Sequence, residues 1–175
     1  MRVLVVYESI FGNTRDVAEA IAAGLRERAE VVLAEVAQAP ASADGFDLVV
    51  IGGPIHAWSM TRAETREGAR REAEREHLET VSEGDGIREW LERLSDATGE
   101  VRAATFDTQT KTRWFPTGSA AKPAAKKLRA HGFSLIAEPE HFLVEGKYGP
   151  MIDGEVDRAR VWGAALPSIE SPVSV

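Results

Sequence analysis

The sequence predicts an α/β fold in which a doubly wound, five-stranded parallel sheet carries helices on both faces. Short apolar runs rich in β-branched residues alternate with amphipathic helical patterns along the chain, which is typical of βαβ units. These runs lack polar alternation, which indicates a sheet buried on both faces. In addition, the first run leads directly into residues 9–14, a loop with glycine and hydroxyl-bearing residues that is followed at once by a helical pattern.

Five segments have the composition of buried strands. The first four are residues 3–7, 31–36, 48–51 and 101–106. The fifth is a less regular strand within residues 134–144. We expect Pro139 to bend this strand or to confine it to a sheet edge, because proline cannot donate a hydrogen bond to a neighbouring strand.

Apolar stripes at helical spacing predict four helices. They are a helix after Thr14, one around residues 87–94, one over residues 120–131, and a last one that begins at an N-cap residue, Asp153. Trp90 and Trp162 lie on two of these stripes, so we expect both in the core. Only about ten residues separate strands two and three, so we expect a turn there rather than a crossover helix.

The length of 175 residues suits a single domain over residues 1–175. Residues 61–84 stand out as a charged insertion after the third strand, with many Arg and Glu residues and few large apolar ones. This segment is long for a connection, and its Glu/Arg spacing would also permit a short solvated helix. Residues 167–175 are expected to form a frayed tail.

Composition excludes several classes of chemistry. The chain has no cysteine, which removes disulfides, thiolate metal sites and cysteine nucleophiles, so any redox chemistry must belong to a cofactor. The formal net charge of −7 opposes nucleic acid as a partner. We expect neither a signal peptide nor a membrane span, and hence a cytoplasmic protein. The four histidines are scattered without metal-ligand spacing.

The loop after the first strand has the properties of a phosphate site. It reads Ser9-Ile10-Phe11-Gly12-Asn13-Thr14, and it lies where the first amides of a helix are unpaired and the helix dipole is positive. The three spaced glycines of a dinucleotide loop and the Gly-Lys-Ser/Thr ending of a Walker loop are both missing. Because the loop contains no Lys or Arg, it suits a terminal monophosphate held by neutral donors.

This strand, loop and helix resemble the FMN phosphate loop of flavodoxins, Ser/Thr-x-Thr-Gly-x-Thr, and the resemblance extends over roughly residues 2–166. It implies the sheet order 2-1-3-4-5 and a noncovalently bound FMN. Phe11 departs from the pattern because it replaces a hydroxyl-bearing residue. One phosphate contact must then come from a backbone amide or another group.

The resemblance also implies two loops that hold the flavin ring. The first follows strand three, where Trp58 is the candidate to stack on the ring. The second follows strand four, where polar groups can bind the pyrimidine edge and where Lys111 and Arg113 place positive charge that would favour the reduced flavin. The implied ring contacts are Pro54, Ile55, His56, Ala57, Trp58, Asp107, Thr108, Gln109, Trp114 and Gly118.

Three functions remain open from the sequence. The first is an electron carrier that shuttles electrons between a flavin reductase and an acceptor protein. The second is an FMN-dependent oxidoreductase acting on a small quinone-like substrate, of the quinone reductase type or the protoporphyrinogen oxidase type, whose C-terminal region residues 146–150 somewhat resemble. The third is a flavin-free interaction or regulatory domain. A phosphoacceptor receiver domain is excluded, since its aspartate after strand three is replaced by Gly52-Gly53.

Overall fold

The computed structural model describes residues 1–111 and 118–168. Within these residues the strands are β1 (Arg2–Tyr7), β2 (Glu30–Glu35), β3 (Leu48–Pro54), β4 (Arg102–Thr110), β5 (Ser134–Leu135) and β6 (Glu140–Val144). The α-helices are α1 (Asn13–Leu25), α2 (Ala63–Glu76), α3 (Ile87–Arg93), α4 (Ala121–Ala130) and α5 (Glu155–Ala165). A short 3₁₀ helix, Leu166–Ser168, ends the described chain.

The strands form one parallel sheet in the order β2-β1-β3-β4-β5, and β6 also pairs with β4. The predicted fold class and sheet order are therefore confirmed. Residues 3–6 of β1 and 48–51 of β3 are completely buried, because helices cover both faces of the central strands. This explains why the strand segments are apolar throughout instead of alternating.

Two apolar cores flank the sheet. One lies under α3 and α4 and includes the fully buried Trp90, as expected. The other lies under α1 and α5. Trp162 is only partly buried at its margin, where its ring meets those of Phe106 and Phe142 edge-on at centroid distances of 6.5 and 6.1 Å.

Strands β3 and β4 are longer than the sequence predicts. β3 continues through Gly52, Gly53 and Pro54, and β4 continues through Thr110. The added residues pair with one another, Gly53 with Asp107 and Pro54 with Thr108. Residues predicted to lie in two ligand loops are therefore the last residues of two adjacent strands. Polar and glycine residues hid this continuation from a search for apolar runs.

The predicted fifth strand is two strands, both paired with β4. β5 pairs with the beginning of β4 and β6 with its end. The chain leaves the sheet between them, over residues 136–139. Pro139 lies in this interruption, which agrees with its inability to donate a ladder hydrogen bond.

The charged insertion contains a full helix, α2, of 14 residues. Its buried residues are Arg66, Ala69 and Ala73, so it rests on the body through two small side chains and one charged one. The sequence allowed only a short helix here, because a stripe made of alanines carries little hydrophobic signal. Between β2 and β3 the structure has turns and no helix, as expected.

The last helix begins differently from the prediction. Its N-cap is Gly154, with φ of 85°, and Asp153 lies outside the helix. The side chain of Glu155 accepts a hydrogen bond from the Leu143 amide at 2.6 Å instead. Of the described residues, no helix is both long and apolar enough to cross a membrane.

Helices α1 and α5 approach closely at two glycines. A Cβ added to Gly24 would lie 2.1 Å from the carbonyl oxygen of Arg160, and one added to Gly163 would lie 2.4 Å from that of Ile21. Both obstacles are backbone atoms, which cannot rotate away. Glycine is therefore required at these two contacts.

We expect Gly24→Ala to lower the free energy of unfolding by roughly 1–3 kcal/mol, the usual cost of overpacking. Gly68→Ala is the matched control, because Gly68 is exposed in α2 and an added Cβ meets nothing within 4 Å. That control should raise stability by about 0.5–1 kcal/mol through helix propensity. Urea unfolding followed by circular dichroism measures both, and equal effects would contradict the close helix contact.

Candidate cofactor site

A cavity of about 330 Å³ opens at the carboxyl edge of β1, β3 and β4, where open α/β sheets bind ligands. It brings together most of the residues that the sequence singles out. The predicted residues that line it are Ser9, Ile10, Phe11, Asn13, Thr14, Pro54, Ile55, His56, Ala57 and Thr108. Three further lining residues, Thr110, Val144 and Lys147, were not predicted.

The loop between β1 and α1 has the geometry of an anion site. Gly12 is the N-cap of α1 and has φ of 93°, a left-handed conformation that favours glycine. No side chain caps the helix, so the first amides of α1 stay available to a ligand. Gly12 itself lines a neighbouring cavity of about 240 Å³, on the side of Phe11 and Tyr148.

Ser9 carries an unsatisfied hydroxyl at the base of this loop. Its side chain is completely buried, and Ser9 Oγ has no hydrogen-bond partner. Its backbone is fixed, because the Ser9 amide donates to Ser82 Oγ at 2.9 Å and its carbonyl accepts from the Ser82 amide at 2.7 Å. Burying an unpaired hydroxyl is costly, so a hydrogen-bond acceptor beside Ser9 Oγ would remove that cost.

The end of the charged insertion supports the same loop. Ser82 Oγ donates to Glu35 Oε1 at 2.7 Å, and the Val81 amide donates to the Ile10 carbonyl at 3.1 Å. On the other side of the loop, the buried hydroxyls of Thr14 and Thr108 lie 2.7 Å apart. Residues that are distant in the chain therefore contact this loop on both sides and fix its position.

The loop after β3 turns sharply at Ala57 and Trp58. The amides and carbonyls of His56 and Ser59 exchange hydrogen bonds of 2.9 and 3.1 Å across a turn whose central residues have φ of 47° and 72°. This is the type I′ arrangement, which usually takes Asn-Gly. Two non-glycine residues in this conformation cost of order 1–3 kcal/mol each. Such strain is typical of functional sites.

Trp58 does not belong to the core, because 63% of it is exposed. It lies beside the cavity rather than in its wall, and its stacking role stays a prediction. Gly118, from the loop after β4, packs against the Trp58 backbone, where an added Cβ would lie 2.1 Å from the Trp58 oxygen. The Ser119 amide donates to that oxygen at 3.2 Å. The two predicted ring loops therefore contact each other.

His56 lines the cavity and is partly buried. Burial lowers its pKa, and the nearby charge of Lys147 lowers the pKa further, against the opposing effect of Glu72. The imidazole is therefore neutral at neutral pH and has one nitrogen able to accept a proton.

Asp107 has a structural role that its position as a predicted flavin contact did not anticipate. Its Oδ2 accepts hydrogen bonds from Ser119 Oγ at 2.8 Å and from the amides of Ala120 and Ala121 at 2.8 and 2.9 Å. Its Oδ1 lies 2.6 Å from His141 Nδ1. This buried carboxylate thus holds the start of α4 and ties it to β6, and it does not line the cavity.

Other predicted contacts lie beside the cavity or outside the described residues. Gln109, in the partly buried end of β4, does not line it. Lys111 is exposed, and its amide donates to the Val144 carbonyl at 3.0 Å. Trp114 and Arg113 lie outside the described residues.

Residues 145–150, which we call the strap, close the cavity from the side of α2. The Asn13 side-chain amide donates to the Tyr148 carbonyl at 3.1 Å, and the Tyr148 ring meets Phe11 edge-on at 5.1 Å. Glu72 of α2 accepts hydrogen bonds from Lys147 Nζ and from the Tyr148 hydroxyl. The bond to Glu72 raises the pKa of Tyr148 to about 12. In the sequence, residues 146–150 stood out only for their resemblance to the C-terminal region of the protoporphyrinogen oxidase type.

A buried charge lies directly before the phosphate loop. Glu8 accepts hydrogen bonds from Thr61 Oγ1 at 2.6 Å and from the Ile87 amide at 2.9 Å. Burial raises the pKa of Glu8, while these bonds and the nearby Arg66 act against that rise. Among the described residues, no group of three or more His, Asp or Glu side chains is placed to hold a metal ion.

Comparisons with known proteins agree with this geometry. Residues 4–66 match the family model of the flavodoxin domain. No curated protein matches the chain. Among solved structures, oxidised flavodoxin 1 from Bacillus cereus is 19% identical, with 98% of this chain and 100% of that chain covered and a TM-score of 0.69. An archaeal flavodoxin is 16% identical, with coverage of 96% and 97% and a TM-score of 0.63.

A flavodoxin described as a WrbA-like protein, from Agrobacterium tumefaciens, is 17% identical, with coverage of 97% and 99% and a TM-score of 0.57. At such identities the structural matches show the fold alone. Fold and loop together define a flavodoxin-like α/β protein. The flavodoxin domain model matches the sequence over residues 4–66, and the flavodoxin-like fold extends over nearly the whole chain.

The contact between His141 and Asp107 predicts a pH dependence of stability. The hydrogen bond to Asp107 raises the pKa of His141 above its usual value of 6.5. The stabilisation by protonated His141 is therefore complete below about pH 6.5 and is lost as the pH rises through the raised pKa. We expect the stability difference between wild type and His141→Asn to be largest below about pH 6.5 and to shrink as the pH rises through the raised pKa of His141.

Urea unfolding at several pH values measures this difference. His77→Asn is the control, because His77 is exposed and has φ of 55°, a conformation that asparagine tolerates. A difference for His141→Asn that stayed constant with pH would show that the pair does not titrate as proposed.

Proposed function

We propose that this protein binds FMN noncovalently and transfers electrons. Residues 9–14 would hold the phosphate group of the FMN. The observation that carries the proposal is Ser9 Oγ, a buried donor without a partner at the base of an uncapped helix N-terminus. A phosphate group has several acceptor oxygens and would satisfy both features. The cavity volume is within the usual range for cofactor sites.

The residues present fit a phosphate ester. The loop and the start of α1 offer three kinds of neutral donor, which are Ser9 Oγ, the first amides of α1 and the second hydrogen of the Asn13 side-chain amide. Thr14 Oγ1 is shared with Thr108, so it links the phosphate loop to the strand that would contact the flavin. FMN, when bound, supplies the electron-accepting ring that no side chain of this chain can replace.

The cavity walls divide between the two ends of such a ligand. Besides residues of the loop, residues 54–57 and Thr108 line the cavity, and they would hold the ring by backbone groups and apolar contact. The exposed side chain of Trp58, beside the cavity, would be free to stack on the flavin ring. An electron carrier needs no acid or base, and its redox partners would be a flavin reductase and an acceptor protein. We expect it to work in the cytoplasm.

A second candidate is an FMN-dependent oxidoreductase that reduces or oxidises a small quinone-like molecule. Neutral His56 in the cavity wall favours it, because a substrate that gains or loses protons with its electrons needs such a group. The neighbouring cavity beyond Phe11 and Tyr148 adds space for a small molecule. Rapid oxidation of NAD(P)H by quinone with the isolated protein would favour this candidate, and reduction only through a separate reductase would favour the carrier.

We expect the purified protein to bind FMN with a visible flavin spectrum. Ser9→Ala should weaken FMN binding by about tenfold or more, because one hydrogen bond to a charged group contributes roughly 1.5–3 kcal/mol. Titration with FMN, followed by tryptophan fluorescence, measures the dissociation constant. Ser9→Ala should not lower the stability of the free protein, since the hydroxyl has no partner there.

Thr105→Val is the matched control. Thr105 Oγ1 is also buried without a partner, but it lies within β4 and does not line the cavity. This variant should bind FMN as wild type does. A colourless protein that ignores added FMN would refute the flavin proposal and leave the flavin-free interaction domain.

A further inference from the structure

The strap brings a positive charge to the cavity beside the candidate phosphate site. Residues 9–14 contain no Lys or Arg. Among the described residues that line the cavity, Lys147 carries the one permanent positive charge, since His56 is held neutral. A phosphate monoester has a charge between −1 and −2 near neutral pH, so the contribution of Lys147 matters for any such ligand.

The strap holds Lys147 beside the phosphate loop. Its neighbour Tyr148 is fixed to that loop by the Asn13 hydrogen bond at 3.1 Å and by the ring contact with Phe11 at 5.1 Å. Gly149 also packs closely against the loop, because a Cβ added to it would lie 2.4 Å from Asn13 Oδ1. These contacts place residues 147–149 against residues 11–13.

Glu72 fixes the direction of the ammonium group. Its carboxylate accepts hydrogen bonds from Lys147 Nζ and from the Tyr148 hydroxyl, so two side chains of the strap bind the same residue of α2. The Lys147 side chain is 60% exposed, so its ammonium is open to a ligand while it stays paired. His56 lines the same cavity, and the charge of Lys147 contributes to lowering the pKa of His56.

We propose that Lys147 recognises the phosphate ester at residues 9–14 and thereby sets the preference of this site for FMN over uncharged riboflavin. The inference rests on the proposed function, because it names the residue that supplies charge to the same site. The ammonium is shared between Glu72 and the phosphate when the ligand binds. Neutral donors of the loop then fix the position of the phosphate, and Lys147 adds charge complementarity.

The test compares dissociation constants for FMN and riboflavin at low and high ionic strength. We expect Lys147→Gln to weaken FMN binding about five- to tenfold at low salt, because a partly exposed ammonium makes a charge-assisted contact of moderate strength. Riboflavin binding should change by less than about twofold, since it lacks the phosphate. High salt should reduce the difference between wild type and variant for FMN.

Two further variants separate charge from structure. Lys147→Arg keeps the charge and should retain most of the FMN preference. Lys126→Gln removes an exposed lysine of α4, which does not line the cavity, and should leave both constants unchanged. Because Lys147 is mostly exposed, loss of folding is not expected, and circular dichroism of each variant checks this.

The outcomes distinguish the two proposals. If wild type binds FMN but Lys147→Gln leaves the ratio of the two constants unchanged, phosphate recognition by Lys147 is wrong and FMN binding stands. If Lys147→Gln weakens FMN and riboflavin equally, the lysine acts on the ring or on the shape of the cavity, which also overturns the inference. If wild type binds neither flavin, the proposed function fails, and this inference fails with it.

Discussion

The buried carboxylate of Glu8 is the interaction on which the site edge of the sheet depends. Glu8 follows β1 directly, and its two oxygens join the Thr61 hydroxyl and the Ile87 amide, which belong to the segments before α2 and at the start of α3. Arg66 extends the cluster, since it donates to Thr61 Oγ1 at 2.9 Å and pairs with Glu89 at 3.1 Å. A buried carboxylate is stable only when it is bonded in this way. Residues 9–14 thus follow a residue that is bonded to the segment before α2 and to the start of α3.

The charged insertion consequently belongs to the architecture of the site. It reaches the cavity region at three places: Arg66 in the Glu8 cluster, residues 81–82 behind the phosphate loop, and Glu72 against the strap. Its helix has little apolar surface to bury, as only Ala69 and Ala73 are buried with Arg66. Polar contacts therefore hold it in position. Such contacts weaken with salt when they are exposed, as at Glu72, and much less when they are buried, as at Arg66.

Much of the fold follows from local sequence, and less of the site does. The strand β1, the loop with its left-handed Gly12 and the helix α1 are adjacent in the chain, so their pattern was sufficient to predict them. The split of the last strand was harder, because β5 has two residues and pairs only through β4. Asp107 had the right position for a ligand contact, yet it caps α4, because the partners that decide between these roles, Ser119 and His141, are 12 and 34 residues away. No local pattern marks such pairings.

The donors and the charge of the site also come from different parts of the sequence. Taken alone, residues 9–14 predict an anion site built from neutral donors; in the structure Ser9 Oγ has no hydrogen-bond partner and no side chain caps the start of α1. Lys147, 133 residues after Thr14, changes this description, because α2 and the strap bring an ammonium to the same cavity. The protein has a net charge of −7, so a phosphate approaches it against a repulsive field. Among the described residues that line the cavity, Lys147 is the one permanent cation, and it offsets that field locally, where residues 9–14 supply no charge.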